Sequence, residues 1–272
     1  MILRRLTEHV KAQNWTAVAL DFVIVVAGVV IGIQVANWNE ARVEQRELAA
    51  SLSNLAQEVS NTAWHRTDQI EWMRRVVDGL GLVLDALDGW DLSPDEWDQA
   101  RFALTNVATP PPDPGRYETL YELQSTGMLS KVPSRELRAA LGELLSMDRL
   151  VTPFYEMSLR TLTAPDFSPE TVTYGLRDEE GKRGDGTLLV ASVEIDRARS
   201  DPLFRRRVLQ GHSVFITRIE SNDIYRKVDC DILARLAAEG YEPSGHWLVD
   251  NLQRIIPDAA GKTLPESCEA AP

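Results

Sequence analysis

Residues 16–36 read TAVALDFVIVVAGVVIGIQVA, and their only strongly polar side chains are Asp21 and Gln34. At ~1.5 Å of rise per residue, a helix of this length reaches roughly 30 Å, which is the hydrocarbon thickness of a bilayer. The sequence therefore predicts a transmembrane helix over residues 16–37. A buried core helix and a cleaved signal peptide are the alternatives. Gln34 argues against the signal peptide: cleavage after Ala36 would place Gln34 at a position of the cleavage site that requires a small residue.

Both flanks of this stretch support a membrane location. Trp15 and Trp38 stand at its two ends, and indole rings favour the headgroup level of a bilayer, so both are predicted interface anchors. Residues 1–15 form a short basic tail. The basic residues nearest the span slightly favour a cytoplasmic N-terminus, which places residues from about 39 onward outside the cytoplasm. These basic residues are Arg4, Arg5 and Lys11 before the span and Arg42 and Arg46 after it.

Two features inside the span are candidate contact sites. Gly28, Gly32 and Ala36 follow one another at four-residue intervals, so they share one helix face that a second helix can approach closely. Membrane helices also tolerate glycine without any partner, and that alternative stays open. Asp21 either reaches the membrane interface with its carboxylate or makes a polar contact with a partner helix.

Charge and cysteine content restrict the classes of function. The 272 residues carry 41 Asp and Glu against 29 Lys and Arg, a net charge of −12, and this excess acidity repels phosphate backbones. We therefore predict no nucleic-acid partner and interpret the run Arg205–Arg207 as a solvated helix face. Cys230 and Cys268 fit no zinc or redox motif. They can pair if the domain is exported, or they are two separate thiols.

Beyond the span, residues 38–108 are predicted to form a long helix and a second helix. Apolar residues recur every three or four positions from Leu48 to Leu87, which is the pattern of an amphipathic helix. This helix belongs either to a dimeric coiled-coil stalk or to an intramolecular bundle, and Thr62 and Arg66 interrupt its apolar stripe. Ser93 and Pro94 then supply an N-cap and a first-turn proline for the second helix.

The remainder of the chain is predicted to be a helical bundle domain over residues 116–255. The proline-rich segment 109–115 connects it to the preceding helices, and residues 256–272 form a tail. Pro153 predicts a kink or break, residues 163–187 a loop, and residues 188–195 either a strand or the start of a helix. Helices are predicted at about 116–126, 134–160, 202–239 and 246–255, with Gly240 capping the third. The predicted fold class is mainly α: one N-terminal transmembrane helix, a long amphipathic helix and an extramembrane helical bundle.

Residues 14–40, NWTAVALDFVIVVAGVVIGIQVANWNE, resemble the start of uncharacterised single-pass membrane proteins of Proteobacteria. Residues 117–130, YETLYELQSTGMLS, and 133–145, PSRELRAALGELL, are also similar to a helix-turn-helix stretch of such proteins, though less specifically. The resemblance implies a bacterial inner-membrane protein. It brings no established activity and no catalytic residues.

No motif in the chain predicts catalysis, a cofactor or a metal site. The four histidines lack the spacing of a zinc hydrolase, and Gly261-Lys262-Thr263 lacks the first glycine of a phosphate-binding loop. We therefore expect a non-enzymatic, membrane-anchored protein without a cofactor. Its expected partners are the lipid bilayer, a second copy bound through the transmembrane helix, and an unknown envelope protein or ligand. A sensor-like module acting through a membrane partner and an enzyme of unrecognised type are the alternatives.

Overall fold

The structure is a computed structural model that describes residues 15–108, 111–112, 117–162, 167–168, 170–175, 189–243 and 268. The chain divides into two compact units, Met1–Ala50 and Ser51–Pro272. Helix α1 spans Trp15–Leu87. The predicted transmembrane helix therefore continues without a break into the predicted amphipathic helix, as the absence of proline in this region allows.

Helices dominate the second unit, which confirms the mainly α class. After α1, its helices and strands are α2 Pro94–Asn106, α3 Glu118–Ser125, a 3₁₀ turn Met128–Lys131, α4 Arg135–Leu162, β1 Val172–Gly175, β2 Leu189–Val193, α5 Ile195–Ser200 and α6 Pro202–Ala238. The predicted helix at 246–255 and the polar run 178–186 lie outside the described residues.

The apolar stripe of α1 is buried within the chain itself from Leu52 onward. Leu52, Leu55 and Val59 are fully buried, and Met73 and Leu80 join a core cluster with residues of α2 and α6. This part of α1 is thus a helix of an intramolecular bundle, the second of the two arrangements that the sequence left open.

The predicted helix ends are confirmed where a local cap specifies them. Ser93 and Glu96 form a capping box at the start of α2, with Pro94 in its first turn. Asp201 accepts a hydrogen bond from the backbone N–H of Leu203 at the start of α6. Gly240, after the end of α6, has a φ of 86°, a conformation that glycine adopts without strain.

The structure contradicts two predicted interruptions: the break that was one of two alternatives at Pro153, and the loop over residues 163–187. The other alternative at Pro153, a kink, stays a prediction. A break at Pro153 does not occur, because α4 continues through it to Leu162. Tyr155, only two residues later, is buried and hydrogen-bonded to α6, and this tertiary contact holds the helix past the missing N–H. The predicted loop 163–187 contains β1, which pairs antiparallel with β2.

The segment 188–195 contains both structures that its sequence allowed. Strand β2 occupies Leu189–Val193, and α5 begins at Ile195. Val190 donates its backbone N–H to Thr105 Oγ1 at 2.9 Å, so the strand is attached to α2. A four-residue partner strand gave no detectable period-two pattern in the sequence, which is why β1 was missed.

Candidate functional site

The first unit exposes a continuous apolar surface. Every described side chain from Phe22 to Val35 is exposed, with exposed fractions among the large apolar residues from 43% at Val26 to 69% at Phe22. Near the N-terminus, α1 contains an apolar stretch long enough to cross a membrane, and none of this stretch is buried within the chain. Leaving such a surface in water costs about 25 cal/mol per Å² relative to burial.

The predicted contact residues of the span lie on this uncovered helix. A Cβ atom built on Gly28 or Gly32 would meet nothing within 4 Å, and Ala36 is exposed. The stripe therefore makes no close contact with the rest of the chain as far as the structure describes it, and its packing against a second copy stays a prediction. Asp21 and Trp15 belong to α1, but their side chains lie outside what the structure describes.

Trp38 lies immediately after the apolar stretch and is 64% exposed. The guanidinium carbon of Arg42, one helical turn later, lies 5.3 Å from the centre of the Trp38 ring. Cation–π attraction therefore holds an arginine on the predicted interface anchor.

The second unit contains a buried polar cluster centred on Arg66, which we name the Arg66 cluster. Arg66 is 2% exposed and bonds two residues of α6 and the residue that precedes α3: its Nε lies 3.2 Å from Asp229 Oδ2, its Nη1 3.0 Å from Asn222 Oδ1, and its Nη2 3.3 Å from the Tyr117 hydroxyl. The Tyr117 hydroxyl donates in turn to Asp229 Oδ1 at 2.6 Å. Asp229 is fully buried, so its negative charge depends on these donors.

Aromatic rings and a second arginine complete the cluster. Tyr155 of α4 donates its hydroxyl to Asn222 Oδ1 at 2.7 Å, and the Arg66 guanidinium carbon lies 4.5 Å from the centre of the Tyr225 ring. Buried Arg218 lies 4.6 Å from the centre of the Tyr155 ring and donates to the carbonyl of Pro111. The Arg66 cluster thus joins α1, α4, α6, the residue that precedes α3, and the proline-rich connector.

The protonation states of the cluster follow from burial and proximity. Burial by itself lowers the pKa of Arg66, but attraction to Tyr117 and Asp229 outweighs this effect and raises the pKa, so Arg66 stays charged. Burial, with a further contribution from Asp229, raises the pKa of Tyr117 well above its ordinary value. Tyr117 therefore remains protonated and donates its hydroxyl hydrogen to Asp229.

Glu58 of α1 provides a second polar junction. Its carboxylate oxygens accept hydrogen bonds from the backbone N–H groups of Glu118 at 2.6 Å and Thr119 at 3.1 Å. N–H groups in the first turn of a helix have no acceptor within the helix, so a carboxylate at the N-terminus of α3 is favourable. Burial nevertheless raises the pKa of Glu58.

Sequence analysis named Arg66 only as an interruption of the apolar stripe of α1. It did not predict that Arg218, Asn222 and Asp229 belong to a buried polar cluster. A signal was nevertheless available. Buried positions of α6 recur every three or four residues, and the polar members of the cluster occupy the middle of that series: Phe215, Arg218, Asn222, Tyr225, Asp229 and Ile232. Charged residues at core-facing positions of a long helix indicate a buried polar cluster.

The two cysteines form a disulfide, with Cα atoms 5.5 Å apart. The sequence had left this pairing open. Within the residues that the structure describes, no three His, Cys, Asp or Glu side chains are grouped to hold a metal ion. His65 is half-buried beside Trp64, with ring centres 5.1 Å apart, and burial lowers its pKa.

No family model, no curated protein and no solved structure matches this chain. The resemblance of residues 14–40 to proteobacterial membrane proteins is therefore untested and stays a prediction.

Replacing Arg66 with Met should lower the free energy of unfolding by about 3–5 kcal/mol, because Asp229 is then left buried without its ion-pair partner. Arg74→Met removes an exposed arginine from the same helix and should change stability by less than about 0.5 kcal/mol. The double variant Arg66→Met/Asp229→Leu should recover much of the loss. Urea denaturation followed by circular dichroism measures all three, and equal effects of Arg66→Met and Arg74→Met would contradict the assignment.

Glu58 should make the stability of the folded protein depend on pH, and the direction of its pKa shift gives the sign of this dependence. Because its pKa is raised above the ordinary 4.5, the native chain binds more protons at this site than the unfolded chain. Relative to Glu58→Gln, the wild type should therefore lose stability as pH rises from about 4.5 through the raised pKa.

Glu96→Gln is the matched control for Glu58. Hydrogen bonds from Ser93 lower the pKa of Glu96. Relative to Glu96→Gln, the wild type should therefore gain stability as pH rises toward 4.5, which is the opposite of the change expected for Glu58. Urea midpoints between pH 3.5 and 7 measure both differences. Identical pH profiles for wild type and Glu58→Gln would show that Glu58 has an ordinary pKa.

Proposed function

We propose that this protein is a non-enzymatic, single-pass membrane protein whose helical unit outside the membrane binds a partner protein or ligand. The exposed apolar surface between Phe22 and Val35 carries the proposal, because a helix satisfies its own backbone hydrogen bonds and needs only an apolar surrounding. Lipid provides that surrounding. Trp38 and Arg42 then lie at the headgroup level at the C-terminal end of the span.

The proposed location is a bacterial inner membrane, with the N-terminus in the cytoplasm and the residues from about 39 onward in the periplasm. The disulfide between Cys230 and Cys268 supports this orientation, since disulfides persist in oxidising compartments such as the periplasm and are rare in the cytosol. The slight excess of basic residues before the span points the same way.

A binding role is favoured over catalysis by the chemistry of the described residues. The pKa values of Arg66 and Tyr117 are strongly raised, and these two residues are buried in the Arg66 cluster and bonded to its other members. Perturbed groups of that kind also occur in structural ion-pair networks. The cluster therefore gives the second unit a fixed shape, and recognition falls to surface residues around it.

Alkaline carbonate extraction of membranes tests the anchor. The wild type should remain in the membrane pellet, whereas Val26→Asp/Val30→Asp should be released, because each charge near the centre of a span costs about 2.5–3.5 kcal/mol. Leu209→Asp/Ile216→Asp introduces the same charges at exposed positions of α6 and should stay in the pellet. Release of the wild type by carbonate would rule out the transmembrane anchor.

A homodimer contact through Gly28, Gly32 and Ala36 is part of the proposal and has its own test. Gly28→Leu/Gly32→Leu should weaken self-association several-fold in a membrane two-hybrid reporter, because leucine side chains keep two helix backbones apart. Val26→Leu/Val30→Leu changes the opposite helix face and should leave the signal unchanged. If both variants give the wild-type signal, this face does not mediate self-association.

A further inference from the structure

A pocket with a volume of about 450 Å³ lies between α1 and α2 in the second unit. Arg75 and Asp78 of α1 and Asp98, Gln99 and Phe102 of α2 line it. This volume is in the range of small-molecule sites, roughly 300–1,000 Å³. Nothing in the Arg66 cluster contributes to its walls.

Close packing holds the two helices that line the pocket in place. Gly79 lets the two helices approach: a Cβ atom at this position would lie only 2.4 Å from the backbone oxygen of Gln99. Phe102 is fixed from behind by Trp72, whose ring centre is 6.3 Å away in an edge-to-face arrangement. Trp72 itself packs on Phe215 of α6 with ring centres 6.0 Å apart. The aromatic surface of the pocket is therefore part of the core packing.

Opposite charges stand around this aromatic surface. The Arg75 guanidinium carbon lies 5.5 Å from the centre of the Phe102 ring, and the Asp98 carboxylate pairs with Arg101. Asp78 follows Arg75 by three residues on α1, but no ion pair joins these two in the part of the chain that the structure describes. The pocket thus presents a cation, Arg75, and a carboxylate, Asp78, that are not joined by an ion pair.

We propose that this pocket binds a zwitterionic α-amino acid with an apolar side chain. The ligand carboxylate bonds to the Arg75 guanidinium, the ligand ammonium bonds to the Asp78 carboxylate, and the side chain packs on Phe102. A purely anionic ligand would be repelled by Asp78, and a purely cationic one by Arg75. This inference rests on the proposed ligand-binding role of the second unit and narrows it to one class of ligand.

Isothermal titration of full-length protein in lipid nanodiscs with L-leucine tests the pocket. The wild type should bind leucine saturably, and Arg75→Gln and Asp78→Asn should each weaken binding by about tenfold or more, the loss of one charge-assisted contact. Arg74→Gln, the matched control at the next position on α1, should bind like the wild type. All three positions are exposed, so thermal melts should confirm that the variants fold alike.

Two leucine derivatives assign each end of the ligand. Leucinamide lacks the carboxylate, so it should bind the wild type more weakly than leucine does. Its affinity for Arg75→Gln should equal its affinity for the wild type. N-acetyl-leucine lacks the ammonium, so its binding should not fall further in Asp78→Asn. The proposal is overturned if leucine shows no saturable binding, if Arg74→Gln weakens binding as much as Arg75→Gln, or if leucinamide remains sensitive to Arg75→Gln. Carbonate extraction of the wild type does not depend on these variants. A negative result in the titrations would therefore contradict amino-acid binding and leave the proposed membrane anchor unaffected.

Discussion

Apolar side chains on α1 between Phe22 and Val35 impose the constraint on which the rest of this account depends. They are exposed throughout, and none of this apolar stretch is buried by the residues that the structure describes. A helix is one of the few structures that can enter lipid, because its backbone donors and acceptors are paired internally. The proposed membrane insertion would remove this apolar surface from water, and the direction of insertion would then decide the compartment in which the second unit folds.

The second unit depends on a different kind of interaction. Its core is apolar around Met73, Leu80 and Phe215, but it is polar where Arg66 meets Asp229. A buried ion pair adds little net stability compared with well-packed apolar residues, because both charges are removed from water. Its strict geometry nonetheless favours one arrangement of α1, α4 and α6, since any slip of a helix would leave a buried charge unpaired. Polar surface residues such as Arg75 and Asp78 are then presented on a fixed frame.

Sequence patterns predicted the features that are local in the chain. The N-cap at Ser93 and the end of α6 before Gly240 each depend on residues within one helical turn, and each was correct. The Arg66 cluster could not be predicted in detail, because its hydrogen bonds join residues as far apart as Arg66 and Asp229. The pocket depends on the approach of two helices at Gly79, which the sequence alone does not reveal.

Protease treatment of intact spheroplasts, with an epitope tag at the C-terminus of the full-length protein, tests the central claim most directly. The account predicts that external protease removes the tag, because the second unit and its disulfide between Cys230 and Cys268 lie outside the cytoplasm. Survival of the tag until the membrane is lysed would contradict the account. The second unit would then be cytoplasmic, and neither the disulfide nor a periplasmic ligand could be maintained.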